Sequence, residues 1–169
     1  LKAIDFCSGS YCITLALKAE RSGWEVEGLE LSLAALELSR ENAELLKLDV
    51  KFEAADVFSV DLGKNVYDII VSNPPYVRQG EKRLMQPNVL DHEPEMALFV
   101  ADDDPFIFYR QIVHLAKQHL KPGGWLYLEI NEYLSKELIE LITAAGFSVL
   151  LRQDSYLKPR MLKCQKKIN

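Results

Sequence analysis

Residues 67–76 read Tyr-Asp-Ile-Ile-Val-Ser-Asn-Pro-Pro-Tyr, an apolar strand that runs directly into a rigid polar turn. The run Ile69-Ile70-Val71 has the continuous apolar character of a parallel strand that is buried on both faces. Because each proline holds φ at about −65° and lacks an N–H donor, the turn that follows is stiff and its carbonyl groups stay open as acceptors. This stretch predicts a parallel sheet with a preformed polar corner at the carboxyl end of one strand.

Strand-like and helix-like segments alternate on both sides of this stretch. Helices are recognised by apolar residues at positions i, i+3 and i+4, and buried strands by short apolar runs. The predicted strands cover residues 3–6, 24–30, 50–55, 67–72, 125–130, 147–151 and 161–165. The predicted helices cover residues 11–21, a segment after a Ser32 cap, a segment after Asp104-Pro105, and a segment between a Ser135 cap and Gly146. The predicted apolar faces are Ile13, Ala16 and Leu17 in the first helix, and Leu36, Ala43 and Leu46 in the second.

This alternation predicts an α/β fold, a doubly wound parallel sheet of about seven strands with helices on both faces. The last two strands have no helix between them, so we expect them to pair antiparallel at one edge. In such sheets, ligands bind beyond the carboxyl ends of the strands. Residues 77–104 show no sustained period, which predicts a lid, a binding loop or a disordered segment.

Composition narrows the class of protein. The 169 residues fit one domain, so we take residues 1–169 as a single unit. The formal net charge of −5 argues against a surface that binds bare nucleic acid or an anionic membrane. Three cysteines without a CxxC pattern favour reduced thiols, no zinc site and an intracellular protein. The chain opens directly on an apolar strand, which suggests a fragment whose upstream region is missing.

Three of the predicted turns carry residues suited to a nucleoside ligand. The small residues from Cys7 to Tyr11 open the first helix, where backbone amides can approach a ligand closely. Glu30 ends the second strand, a position from which a carboxylate can accept both hydroxyls of a ribose. After the third strand, Asp56 can accept from an adenine amino group and Phe58 can cover the ring. The alternative is a tight turn and ordinary surface acids.

The turn at Asn73-Pro74-Pro75-Tyr76 predicts chemistry on a planar –NH2 group. The Asn73 side-chain oxygen and the Pro74 carbonyl can each accept one of its hydrogens, and Tyr76 can stack on its plane. An amide or exocyclic amine nitrogen is a poor nucleophile, and acceptors that stabilise developing positive charge allow it to attack an electrophilic methyl group. Losing one such acceptor is expected to raise the barrier by about 2.7–4 kcal/mol. The alternative is a rigid structural turn with a packed tyrosine.

Taken together, these motifs resemble the class I S-adenosylmethionine-dependent methyltransferases, and more narrowly the HemK-like (PrmC) release-factor glutamine methyltransferases. The resemblance spans essentially the whole chain. The Asn-Pro-Pro-Tyr turn by itself does not identify the narrower group, because enzymes that methylate amino groups of nucleic-acid bases share it. The stretch Glu93-Pro94-Glu95-Met96-Ala97-Leu98 narrows it to the HemK-like group. The other matching segments are Asp5 with Gly9, residues 27–32, Ala35-Leu36, Asn42-Ala43, Asp56, residues 67–72 and Pro122-Gly123-Gly124.

The resemblance implies a cytoplasmic, monomeric enzyme of translation termination. It would move a methyl group from S-adenosylmethionine to the side-chain amide of the glutamine in the Gly-Gly-Gln loop of class I peptide chain release factors, leaving S-adenosylhomocysteine. From the residues and the net charge we expect no metal, no membrane and no direct nucleic-acid contact. We also expect that the N-terminal helical domain, which members of this family carry, is not part of this sequence. The implied catalytic residues are Asn73, Pro74, Pro75 and Tyr76. The implied cofactor-binding residues are Asp5, Cys7, Ser8, Gly9, Ser10, Tyr11, Glu30, Leu31, Asp56, Val57, Phe58 and Asn73.

This sequence departs from the family pattern in the first turn and after the second strand. Cys7 and Tyr11 stand where the family has glycines, and Glu30 stands where it has aspartate. If position 7 needs a positive φ, a cysteine there costs roughly 1–2 kcal/mol. Tyr11 is expected to point outward or to push the helix away from the sheet. These departures predict weaker cofactor binding, not its loss.

Two other functions are compatible with the motifs. The first is amino methylation of nucleic acid, at adenine N6 or cytosine N4, which uses the same turn but calls for a basic surface. The second is a binding domain that has lost its cofactor because of the altered first turn. A nicotinamide dehydrogenase is disfavoured, since the Asn-Pro-Pro-Tyr turn has no role in hydride transfer.

Overall fold

The computed structural model describes residues 1–85 and 94–168. Seven strands form the main sheet, and two short parallel strands, β5 and β6, form a second one. In chain order the strands are β1 (Lys2–Phe6), β2 (Glu25–Glu30), β3 (Lys51–Ala54), β4 (Tyr67–Ser72), β5 (Val77–Arg78), β6 (Phe99–Val100), β7 (Leu120–Glu129), β8 (Phe147–Gln153) and β9 (Pro159–Lys166). The helices are α1 (Cys12–Glu20), α2 (Leu33–Leu46), α3 (Glu95–Leu98), α4 (Ile107–His119) and α5 (Ser135–Ala144), with 3-10 turns at Gln79–Leu84 and Glu132–Leu134.

The main sheet has the strand order β3-β2-β1-β4-β7-β9-β8. Every pairing from β3 across to β7 is parallel, whereas β9 runs antiparallel to both of its neighbours, β7 and β8. A short connection at 154–158 joins β8 to β9, which is possible because antiparallel neighbours need no crossover helix. The predicted α/β fold class is confirmed, including the antiparallel pairing of the last two strands.

Two of the four predicted helix ends are confirmed and two are wrong. Ser32 caps α2 by accepting from the amide of Ala35 at 3.3 Å, and Gly146 follows α5 with φ of +99°. The helix predicted after Asp104-Pro105 begins only at Ile107, because the Asp104 carboxylate pairs with Arg110 instead of capping.

The expected Ser135 cap of α5 is also wrong. Ser135 is the first helical residue, and its side chain makes no capping bond to the helix. A 3-10 turn leads into this helix, and Asn131 caps that turn by accepting from the amide of Tyr133 at 3.0 Å. The capping residue is therefore four positions earlier than the sequence pattern indicates.

The predicted apolar face of α1 is wrong. Ile13 and Ala16 are exposed, and the buried side chains are those of Thr14 and Leu15. The reason is polar, since the Thr14 hydroxyl donates to the buried carboxylate of Asp5 at 2.7 Å and thereby sets the rotation of the helix.

In α2, the predicted burial of Leu36 and Ala43 is confirmed, but Leu46 is exposed and Ser39 is buried. Leu46 is the last helical residue, next to Lys47 in the left-handed conformation, so it lies past the part of the helix that covers the sheet.

The expectation of an irregular segment at 77–104 is wrong in part. Its ends carry β5 and β6, which pair through Val77 with Phe99 and Arg78 with Val100, together with a 3-10 turn and α3. The middle of the predicted lid, residues 86–93, lies outside the described residues, and so does Glu93 of the family-specific stretch.

Tyr11 is fully buried, which overturns the expectation that it points outward or displaces the helix. Its ring lies 4.8 Å from that of Phe52, between centroids, and its hydroxyl donates to the carbonyl of Gly28 at 2.8 Å. A Cβ added at Gly28 would lie 2.0 Å from Cε1 of Tyr11. The missing side chain of Gly28 therefore leaves the space that the tyrosine occupies, and the helix stays close to the sheet.

This packing predicts strong coupling between positions 11 and 28. Gly28→Ala should lower the free energy of unfolding by on the order of 3 kcal/mol, because overpacking forces the buried ring to move. In a Tyr11→Ala background the same change should cost at least about 1 kcal/mol less, as measured by urea denaturation of the four proteins in a double-mutant cycle. Gly23→Ala is the control, since a Cβ there meets nothing within 4 Å. Additive effects of the two substitutions would contradict the packing described here.

Candidate functional site

The ends of three parallel strands meet at one edge of the sheet. Phe6 of β1 pairs with Leu29 of β2 on one side and with Ser72 of β4 on the other. Cys7, Glu30 and Asn73 are the next residues on these three neighbouring strands, which are spaced by about 4.8 Å. The amide of Ala55 donates to the carbonyl of Glu30 at 3.1 Å, which extends the same edge to β3. The turns singled out in the sequence thus lie side by side.

The turn after β1 has three residues in the left-handed region, Cys7 with φ of 57°, Gly9 with 56° and Tyr11 with 61°. Position 7 therefore has the positive φ considered in the sequence analysis, and each of the two non-glycine residues carries roughly 1–2 kcal/mol of strain. Ser8 Oγ lies 2.7 Å from the carbonyl oxygen of Asp5 and 3.1 Å from that of Leu29, so its hydroxyl hydrogen is used inside the turn.

Glu30 ties this turn to the start of α2. Its Oε2 accepts from the amide of Gly9 at 2.7 Å, and its Oε1 accepts from the amide of Ser32 at 2.9 Å. Each carboxylate oxygen has a second acceptor site, so both can still accept from the hydroxyls of a ribose. The side chain of the neighbouring Leu31 is exposed.

Asp5 has a buried carboxyl group in which one of the two oxygens lacks a hydrogen-bond partner in the described part of the chain. Thr14 donates to Oδ2, whereas Oδ1 has no hydrogen-bond partner among residues 1–85 and 94–168. Burial raises the pKa of Asp5 to about 7, the nearby charge of Glu30 acts in the same direction, and the bond from Thr14 opposes both. Asp5 Oδ1 is therefore a buried acceptor without a partner among these residues, just before the turn after β1, and it suits a ligand that carries a cationic or hydrogen-bond-donating group.

Cys7 lies among the carboxylates of this edge. Burial raises the pKa of its thiol to about 12, and the charges of Glu30, Asp5 and Asp56 add to the rise. The thiol is therefore neutral near pH 7 and is not a nucleophile. Because the acidic side chains of Glu30 and Asp56 act on one region, the site favours a cation and disfavours the pyrophosphate of a dinucleotide.

The residues after β3 have separate roles. Asp56 Oδ1 accepts from the amide of Phe58 at 2.9 Å, and the exposed ring of Phe58 packs against Phe108 with centroids 4.9 Å apart. The side chain of Val57 is buried in the core, and its carbonyl accepts from Gln111 at 2.9 Å. Of these three predicted ligand contacts, Val57 can therefore contribute only through its backbone.

The Asn-Pro-Pro-Tyr turn presents its asparagine to solvent and buries both prolines. Within the parts of the chain that the structure describes, neither the Asn73 amide nor the Pro74 carbonyl takes part in an intramolecular hydrogen bond. Both acceptors are thus free for a ligand. Tyr76 is half-buried, and its hydroxyl donates to Oε1 of Glu129 at 2.6 Å.

Sequence reasoning missed a second group of residues around Tyr76. Asn131 Nδ2 donates to the carbonyl of Tyr76 at 3.2 Å and to Oε2 of Glu81 at 2.9 Å, and Glu81 forms an ion pair with Arg78 at 2.7 Å. Glu129 and Asn131 lie at the exit of β7, which is the fifth parallel strand. A search for polar residues after that strand, and not only after the first four, would have found both.

Among the described residues, no three His, Cys, Asp or Glu side chains lie close enough together to hold a metal ion. In the Asp102-Asp103-Asp104 run, Asp102 accepts from the amide of Gly80 at 3.0 Å and Asp104 pairs with Arg110, so two of these carboxylates have partners in the protein. Over the same residues, no helix has the length and apolar character needed to span a bilayer.

The raised pKa of Asp5 predicts a pH-dependent stability. Its protonated form is favoured in the folded state, so this contribution is complete below the unfolded pKa of 3.8 and is lost as the pH rises through about 7. Ionised, the group destabilises the fold by about 4 kcal/mol at most. The unfolding free energy of Asp5→Asn minus that of wild type should therefore rise by about 2–3 kcal/mol from pH 5 to pH 8, as measured by urea denaturation at both pH values.

The control for this measurement is Asp68→Asn. Burial works against ionisation of Asp68, but bonds from Lys121 and from the amide of Lys2 prevail and lower its pKa, so it is ionised throughout this window. Its difference from wild type should be the same at both pH values. A pH-independent difference for Asp5→Asn as well would contradict the assignment.

The chain is similar in sequence to curated proteins that share one name. Over 164 residues the chain is 41% identical to the release factor glutamine methyltransferase of Flavobacterium psychrophilum, covering 96% of this chain and 58% of that protein. It is 43% identical over 163 residues to the protein of the same name in Bacteroides thetaiotaomicron, covering 95% of this chain and 59% of that one. The chain thus spans less than two thirds of the length of these curated relatives.

Solved structures share the fold. A methyltransferase from Pyrococcus furiosus superposes with a TM-score of 0.72 at 20% identity, covering 98% of this chain and 75% of that one. TrmN from Thermus thermophilus superposes with a TM-score of 0.72 at 22% identity, covering 98% of this chain and 44% of that one. Residues 1–93, more than half of the sequence, match the family described as Methyltransferase small domain. The chain belongs to the methyltransferase small domain family.

Proposed function

We propose that this chain is the catalytic domain of an S-adenosylmethionine-dependent protein (glutamine-N5) methyltransferase. Its substrate is the side-chain amide of the glutamine in the Gly-Gly-Gln loop of class I peptide chain release factors, which places its action in the cytoplasm, in translation termination. The observation that carries the proposal is the rigid Asn73-Pro74 acceptor pair one strand away from the carboxylate-lined turn at Cys7. The names of the curated relatives support the same substrate.

The residues of the first three turns fit the cofactor. The turn from Cys7 to Tyr11 would surround its methionine part, Glu30 would accept from its ribose, and Asp56 and Phe58 would hold its adenine. The unpartnered Oδ1 of Asp5 and the surrounding negative charge suit a ligand that carries ammonium and sulfonium groups. When bound, S-adenosylmethionine supplies an electrophilic methyl group, and S-adenosylhomocysteine remains.

The fourth turn supplies the substrate contacts. Asn73 Oδ1 and the Pro74 carbonyl accept the two hydrogens of the glutamine amide, and the ring of Tyr76 lies against its plane. Because the two prolines are buried and cannot rotate about φ, the Pro74 carbonyl needs no reorganisation as positive charge develops on the nitrogen. The backbone that carries the Asn73 side chain is restricted by the proline that follows it. After methylation the nitrogen is acidic and loses one proton to water, so no general base is needed in the site.

Label transfer tests this function. With methyl-labelled cofactor, wild type should label an intact release factor and should not label one whose loop glutamine is replaced. Asn73→Ala should lower kcat by about 10²–10³-fold, since it removes one preorganised acceptor. Asn65→Ala, at the opposite end of the sheet, is the control and should keep the wild-type rate. Labelling of DNA or RNA instead, or labelling that does not depend on the glutamine, would refute the proposal.

A second measurement tests whether Cys7 weakens cofactor binding. Cys7→Gly should bind S-adenosylmethionine on the order of tenfold more tightly in calorimetric titration, because glycine adopts the left-handed backbone without strain and lets the turn adjust around the ligand. Cys7→Ala removes the thiol but keeps Cβ and the left-handed strain, so it separates the effect of the sulfur atom from the effect of the strained backbone. Equal affinities of wild type and Cys7→Gly would contradict the prediction. An absence of binding by all three proteins would favour a domain that works without the cofactor.

A further inference from the structure

Tyr76 is held at both of its ends by residues at the exit of β7. Its hydroxyl donates to Glu129 Oε1 at 2.6 Å, and its carbonyl accepts from Asn131 Nδ2 at 3.2 Å. These contacts join residues more than fifty positions apart in the sequence. The tyrosine of the acceptor turn is therefore not free to rotate about its own backbone or to swing its ring away.

Glu129 is itself well fixed. It is the last residue of β7 and pairs in register with Met161 of β9, and its main-chain carbonyl accepts from the hydroxyl of Tyr109 at 3.0 Å. The adjacent Ile130 donates to the carbonyl of Arg160 at 2.9 Å, which brings a cationic residue next to the Tyr76–Glu129 pair. The main chain that carries the Glu129 carboxylate is thus fixed, so the carboxylate can accept the hydrogen bond from Tyr76.

Asn131 is buried and uses all of its polar atoms. Its Nδ2 donates both to Tyr76 and to Glu81, and its Oδ1 accepts from the amide of Tyr133. Glu81 in turn pairs with Arg78, two residues after Tyr76 in the chain. A continuous set of bonds therefore connects the segment after the acceptor turn to the exit of β7, and such networks are cooperative.

We infer that Glu129 and Asn131 are positioning residues for methyl transfer: by holding Tyr76 at its hydroxyl and its carbonyl, they leave only its ring face to contact the substrate amide. This inference rests on the proposed function. The Tyr76 hydroxyl donates its hydrogen bond to Glu129, so the tyrosine does not donate to the substrate. A displacement of about 1 Å in a positioning group can lower a rate by about 10²-fold, which is reason to fix the ring so firmly.

A purely structural role is a poor explanation for this arrangement. The bond between Asn131 and Glu81 is buried, and buried polar and ionic groups often stabilise a fold no better than apolar residues of similar volume. Their advantage is a defined geometry. Here they define the position of Tyr76, which follows Asn73 by three positions at the ligand-binding edge of the sheet.

Steady-state kinetics on the full chain test the inference. Glu129→Ala and Tyr76→Phe should each lower kcat about tenfold to hundredfold while the Kd for S-adenosylmethionine changes less than twofold. Glu129→Gln keeps an acceptor oxygen and should restore most of the rate. The double variant Glu129→Ala/Tyr76→Phe should be no slower than the slower single variant, because both remove the same bond. Asn131→Ala should also lower kcat, with thermal melts confirming that each variant is folded.

The control is Glu132→Gln, in the same segment, whose exposed ion pair with Lys158 lies outside the network, and it should keep the wild-type rate. A second readout does not need activity. The Cζ carbon of Tyr76, labelled with ¹³C and assigned by its loss in Tyr76→Phe, should shift in Glu129→Ala and not in Glu132→Gln.

The outcomes separate the two proposals. If wild type does not methylate the release factor, the proposed function fails, and the Tyr76 resonance still decides whether Glu129 holds the tyrosine. If wild type is active but Glu129→Ala keeps its kcat, if the two substitutions are additive, or if the Tyr76 resonance does not move, the inference is overturned.

Discussion

Hydrogen bonding in parallel register between β2, β1 and β4 sets the last residues of three strands next to one another, and the candidate site depends on that alignment. Phe6 pairs with both Leu29 and Ser72, so the residues that follow leave the sheet at one level. Glu30 then adds a side-chain link, because its two oxygens accept amides from the turn after β1 and from the start of α2. A slip of one residue in any of these pairings would separate the carboxylates from the acceptor turn.

The turn after β1 contains two non-glycine residues with positive φ, and packing compensates for them unequally. Tyr11 and Cys7 both adopt the left-handed backbone that glycine adopts without strain. The cost at Tyr11 is offset by burial of its ring against Phe52 and by its bond to the carbonyl of Gly28. Cys7 packs against the hydrophobic core, but within the described residues no comparable hydrogen bond or ring contact offsets its left-handed backbone, and the nearby acidic residues raise the pKa of its thiol.

The two halves of the site differ in their electrostatics, as transfer of a methyl group from a sulfonium to an amide would require. On one side, Glu30 and Asp56 provide negative charge, and Asp5 provides one unpartnered buried oxygen. On the other, Asn73 and Pro74 provide neutral acceptors on a stiff backbone. The Tyr76–Glu129 bond keeps the second half in place with a contact whose partners come from β7 and from the turn after β4.

The sequence by itself determined the seven strands of the main sheet and the helices between them, the antiparallel end of that sheet and the placement of Glu30, Asp56 and Asn73 at strand ends, because each of these follows from local periodicity and turn chemistry. Only the tertiary structure decided that Tyr11 turns inward, since its space depends on the missing side chain of Gly28. It likewise decided that α1 buries Thr14 and not Ile13, because a carboxylate on another element sets the rotation of the helix. Glu129 and Asn131 gain their importance from bonds to Tyr76, more than fifty residues away, and no local pattern encodes a contact that only the folded chain can form.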